Sequence, residues 1–102
     1  MEALSPVADI TAGEFKIIQK LLEKYLPDTV AWVYGSRAKS TSTSKSDLDL
    51  VIFATSEQQQ QVGDLREAFE ESDLPFRVDL FVWDDLPEAF KVQIEKEAVL
   101  LC

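Results

Sequence analysis

Two aspartates, Asp47 and Asp49, stand at alternate positions where the apolar run 48–53 begins. Aspartate is disfavoured in strands, so a pair of them at a strand's entrance asks for a chemical reason. Side chains at i and i+2 share one face of a strand, which puts both carboxylates on one side and Leu48, Leu50 and Ile52 on the other. A third aspartate, Asp79, lies in a second apolar run, 76–82, with Val78, Leu80 and Val82 turned the opposite way. If these strands pair with Asp79 beside Asp49, three carboxylates converge. Such neighbours raise one another's pKa, and a hard divalent cation relieves the repulsion. Magnesium commonly takes one or two carboxylates together with substrate phosphate oxygens.

Upstream, Gly35-Ser36 closes the apolar run 30–34. Glycine lets the backbone approach a phosphate, and amides at a strand-to-helix turn donate to anions. The Ser36 hydroxyl adds a donor, while Arg37, Lys39 and Lys45 are cations near enough in sequence to neutralise a triphosphate tail. These parts suit two-metal phosphoryl chemistry, an in-line displacement whose attacking and leaving oxygens are both clamped. Asp79 is placed to take the proton of an acceptor hydroxyl.

Composition narrows the chemistry further. The 102 residues contain no histidine and a single cysteine, Cys102. Histidine bases are thereby excluded, and a zinc site lacks its usual nitrogen and sulfur ligands. Oxygen ligands point instead to magnesium, manganese or calcium. One cysteine permits no internal disulfide, as expected of a reducing cytoplasm. The start of the chain lacks the basic flank and apolar core of a secretion signal, and no apolar stretch is long enough for a bilayer. A net charge of −9 repels nucleic-acid phosphates, so direct nucleic-acid binding is not expected.

The elements that must position these groups fit one domain, residues 1–102, with residues 1–10 as a short arm. Thr11-Ala12-Gly13-Glu14 has the form of a capping box, and Phe15, Ile18, Leu21, Leu22, Tyr25 and Leu26 recur at helical spacing until Pro27-Asp28. Strands are expected over 30–34, 48–53 and 76–82. A helix or turn from Arg37 leads into the solvated, mobile serine- and threonine-rich loop 39–46. Ser56-Glu57-Gln58-Gln59 reads as a second capping box, before a helix burying Val62, Leu65 and Phe69. A last helix begins at Asp85-Leu86-Pro87-Glu88 with Leu86, Phe90 and Ile94 as its apolar positions, and Asp84 and Asp85 read as N-caps. Residues 98–101 form an edge strand or an apolar tail. The order implies an α/β (α+β) domain with a small mixed sheet. Trp32, Tyr34, Phe53, Phe76, Phe81 and Trp83 are core by strand spacing, although Tyr34 and Phe53 flank the motif. Arg77 shares a face with Asp79, to pair with it or to touch phosphate.

Gly35-Ser36, ten residues, then Asp47-Leu48-Asp49 resembles the signature of the minimal nucleotidyltransferases of the DNA polymerase β superfamily. Val78-Asp79-Leu80 is similar to the third-carboxylate strand of that family, and the resemblance runs over nearly the whole chain. It implies the polymerase β-type nucleotidyltransferase core. It further implies that Asp47 and Asp49 bind two Mg2+ ions (Mn2+ as a substitute), that Asp79 binds one and serves as base, and that Gly35 and Ser36 hold the β- and γ-phosphates of ATP. Small proteins of this kind are commonly paired with an all-helical HEPN protein. The implied function is transfer of AMP to a tyrosine of that ribonuclease toxin, as antitoxin, with the two chains as a hetero-oligomer in the cytoplasm. Two other readings stay open. One is nucleotidyl transfer to a small hydroxyl compound, as in antibiotic-modifying relatives. The other is a non-catalytic module that inhibits its partner by binding.

Overall fold

The computed structural model describes residues 10–35 and 47–101. Its first helix, α1 (Ala12–Tyr25), starts at a complete capping box. The Thr11 hydroxyl accepts the Glu14 N–H at 3.1 Å, and the Thr11 N–H donates to Glu14 Oε1 at 2.9 Å. Two of the four otherwise unpaired amides of the first turn are thereby satisfied. Phe15, Ile18 and Leu22 form its buried stripe, and the helix stops before Pro27. Asp28 then takes a left-handed φ of 62°, a conformation that aspartate tolerates better than most residues.

Four strands follow: β1 (Ala31–Tyr34), β2 (Leu48–Ile52), β3 (Val78–Val82) and the short β4 (Val99–Leu100). Their order in the sheet is β3-β2-β1-β4. β1 is antiparallel to β2 and to β4, whereas β2 and β3 are parallel. A parallel neighbour demands a long crossover, and α2 (Gln59–Glu70) supplies it. The mixed sheet with helices expected from the order of elements is therefore the observed architecture.

Strand alternation divides the sheet into two unlike faces. Ala31, Val33, Leu48, Leu50, Ile52 and Leu80 face α1 and α2, where Ile18, Leu22, Val62, Leu65 and Phe69 complete the main core. Each side chain of this size contributes about 1.5–3 kcal/mol by leaving water. Ile10, the last residue of the expected arm, is buried there too. The second face carries Trp32, Tyr34, Asp49, Val51, Asp79 and Phe81. There α3 (Glu88–Glu97) lies against it, with Phe90 edge-on to Tyr34 and Ile94 buried. Trp32, Phe53 and Trp83 pack on one another here, with ring centroids 4.7–5.6 Å apart. Of the six aromatic residues expected in the core, only Phe76 is buried; Trp32, Tyr34, Phe53, Phe81 and Trp83 are half-buried, because they sit on or beside this second face.

Several boundaries differ from the sequence reading. The second capping box is one residue earlier: Gln58, not Gln59, closes it, with Gln58 Oε1 accepting from the Thr55 N–H at 2.9 Å. A 3-10 turn over Ser56–Gln58 then precedes α2. The third strand begins at Val78, although Phe76 is still buried. The last helix starts at Glu88 because residue 86 precedes a proline and is held extended, at φ −89° and ψ 144°. Asp84 and Asp85 lie in a separate 3-10 turn, Trp83–Asp85, and neither caps α3, whose N-cap is Pro87. Leu86 precedes that helix and Phe90 stays 38% exposed, so Ile94 is the apolar position that buries fully. The chain's end does pair as an edge strand, and the Leu101 N–H donates to the Ala31 carbonyl at 2.9 Å.

Candidate active site

The register of β2 on β3 sets the site. Asp49 is the direct neighbour of Asp79 across the parallel pair, and Tyr34 is the neighbour of Asp49 on the other side. The flanking pairs Leu48–Val78 and Leu50–Leu80 send their side chains to the main core. Core burial on one face thus holds the two carboxylates level on the other. Asp47 lies one residue before β2, exposed, on the Asp49 side by parity.

Gly35 follows β1 and closes over Asp49. Its φ of +84° lies where only glycine sits without strain, and a Cβ at this position would stand 2.6 Å from Asp49 Oδ2. The glycine is therefore needed twice, for the turn and for the space it leaves beside a carboxylate oxygen.

Asp49 is half-buried, and its carboxyl is pushed above the usual range, first by burial and then by the charges of Asp79 and Asp47. Arg77 donates from Nε to Asp79 Oδ1 at 3.1 Å, and its own carbonyl accepts the Leu48 N–H at 2.8 Å. Its pKa is raised by the hydrogen bond to Asp79 and by the charges of Asp79 and Asp47. Pairing with Asp79, one of the two roles the shared face allowed, is thus present.

Ser36, Arg37 and Lys45, together with the loop 39–46, lie outside the described residues. Among those described, no three acidic or thiol groups form a ready-made metal cage. The residues nonetheless fit a hard divalent cation. All their donors are carboxylate oxygens, Asp49 and Asp79 are adjacent, and Gly35 adds no side chain of its own beside Asp49 Oδ2. A cation that keeps several waters and takes its remaining oxygens from substrate needs no closed cage.

A surface groove of about 600 Å3 follows the outer edge of β3 and is lined by Asp79, Arg77 and Arg66 among others, but not by Asp47, Asp49 or Gly35. Arg66, which the sequence offered no reason to single out, reaches from α2 to donate to the Leu80 carbonyl at 3.1 Å. The carboxylates, not the groove, define the site, because the chemistry resides in their charges.

A sequence model described as polymerase beta, nucleotidyltransferase, matches residues 16–102. The chain belongs to the polymerase β nucleotidyltransferase family. It is 40% identical over 94 residues to the probable protein adenylyltransferase MntA of Haemophilus influenzae, an alignment covering 91% of this chain and 82% of that relative. Among solved structures, a crystal structure of a toxin-antitoxin with AMP-PNP superposes with a TM-score of 0.63 at 20% identity, over 86% of this chain and 72% of the other. At that identity the likeness is one of fold. Membership of the nucleotidyltransferase family bears out the reading of the Gly-Ser and Asp-x-Asp pattern as the mark of a transferase. No described helix of this family member is long and apolar enough to cross a membrane.

Proposed function

We propose that this nucleotidyltransferase moves AMP from ATP to a protein hydroxyl, a tyrosine of a cognate HEPN ribonuclease toxin, and so acts as its antitoxin in the cytoplasm. The observation that carries the reading is the level pairing of Asp49 with Asp79 beside the Gly35 turn. The relative's name, probable protein adenylyltransferase, supports AMP transfer to protein. The toxin-antitoxin neighbour, crystallised with AMP-PNP, is in keeping with it.

In the reaction, the acceptor oxygen attacks the α-phosphorus, the bond from that phosphorus to the bridging oxygen breaks, and pyrophosphate leaves. Asp47 and Asp49 would hold two Mg2+ ions, or Mn2+, and Asp79 one of them; when bound, these ions supply positive charge at the attacking and leaving oxygens. Asp79 takes the acceptor proton. Gly35 and Ser36 receive the β- and γ-phosphates, with Arg37 and Lys45 as flanking cations. The closeness of Asp79 and Asp49 keeps a deprotonating carboxylate within one strand spacing of the metal-binding one, about 4.8 Å.

The test is incubation with labelled ATP, Mg2+ and a co-expressed HEPN neighbour, followed by a search for label on that protein. Label should appear on tyrosine and vanish in Asp47→Asn and Asp79→Asn. Neutralisation that survives both substitutions with no label transferred would replace this reading with inhibition by binding alone. Label on an aminoglycoside instead would move the acceptor to small hydroxyl compounds.

A further inference from the structure

The Arg77–Asp79 pair is unusual for where it falls. Arg77 is well exposed, with three-quarters of its side chain in water, yet its Nε is bonded to the carboxylate that faces Asp49. Its backbone is not free to drift, because the Arg77 carbonyl accepts the Leu48 N–H at the mouth of the β2–β3 pair. Asp47, the residue before Leu48, is thus at the same mouth. A guanidinium anchored there supplies positive charge to the acidic group from within the chain.

Resting on the metal-dependent reading above, we propose that Arg77 is a positioning residue that competes with the divalent cation for Asp79. A guanidinium on Oδ1 and a divalent ion at the same carboxylate repel each other, so loading the ion at Asp79 costs the Arg77 contact. Arg77 therefore raises the metal concentration the chain requires and holds Asp79 in orientation until that concentration is reached. Among the described residues, two other cations, Arg66 and Lys91, differ in kind. Arg66 is engaged with the Leu80 carbonyl, and Lys91 lies over the Trp83 ring, 5.4 Å from its centroid. Neither is bonded to a carboxylate of the site.

The experiment is Mn2+ binding to the nucleotide-free chain, read from the loss of the free-ion electron paramagnetic resonance signal. Arg77→Met should tighten binding roughly two- to fivefold, the range an exposed ion pair is worth. Lys91→Met removes the same charge without touching Asp79 and should tighten it less. Arg77→Lys keeps the charge but loses the planar Nε donor, and should fall between wild type and Arg77→Met; it also serves as the readout if Arg77→Met fails to melt cooperatively. Binding that is unchanged or weaker without Arg77, or tightened equally by Lys91→Met, overturns the proposal. Asp49→Asn separates this failure from that of the underlying reading. If Asp49→Asn binds Mn2+ as wild type does, the metal site itself is misassigned. If it loses binding while Arg77→Met shows no gain, only the competition is wrong.

Discussion

Gly35 and Asp49 are in such close approach that a single added carbon on the glycine would lie 2.6 Å from the carboxylate oxygen Oδ2. The contact joins the turn after β1 to the acidic face of β2, and it makes Gly35 a test of whether the two act together. Gly35→Ala should cost about 1–2 kcal/mol from its left-handed φ alone. Because Asp49 must also move, nucleotidyl transfer should fall by far more than that loss of stability explains. Urea unfolding alongside a transfer assay checks both. A variant that is destabilised yet fully active when folded would break the link.

Asp49 is predicted to carry a pH signature. Its folded pKa lies above the ordinary 3.8, so its stability contribution is full below that value and is lost as pH rises through the raised one. Asp49→Asn should therefore melt higher than wild type near neutrality, and the two melting curves should converge in acid. Transfer by the variant should fall at least about a hundredfold. Added Mg2+ should raise the melting temperature of wild type but not of Asp49→Asn. Melting scans across pH, with and without Mg2+, decide the matter.

The second face has its own anchor. Ile94 is buried at 1% exposure, apart from the main core. Ile94→Ala should cost about 2–5 kcal/mol. Val92, nearly half exposed on the same helix, should tolerate alanine with little change. Denaturant unfolding of the pair measures whether α3 is held chiefly by this one side chain.

The start of α2 offers a finer contrast. Gln58→Ala removes the acceptor of the Thr55 N–H and should cost about 0.5–1.5 kcal/mol. Gln59→Ala, one position on, should be almost silent, since its side chain is exposed. Equal effects in unfolding experiments would argue for the later box.

What could be read before folding was whatever one face of a strand dictates. Asp47, Asp49 and Asp79 declared themselves because polar residues alternating with buried ones have only one way to face. Burial of Leu48, Leu50 and Leu80 on one side fixed the face of Asp49 and Asp79, while the register that sets them side by side came only from the strand pairing itself. Features set by local competition were not legible. Thr55 and Ser56 both suit a cap, and only the extended backbone at Thr55 chose between them. Pro87 invited a helix start at Asp85, but the restriction it places on Leu86 delayed that start to Glu88. The closeness of Gly35 to Asp49, and the hydrogen bond from Arg77 to Asp79, depend on three-dimensional approach that no spacing encodes.

The parallel register of β2 on β3 has a consequence for how the chain fails. A slip by one residue would turn Asp79 into the apolar layer and Val78 and Leu80 out to water, which no small domain of ordinary stability survives. A long-lived form slipped by one residue is therefore not available. For that error persistence and competence are lost together: the copy that misplaces its acidic pair also forfeits its core.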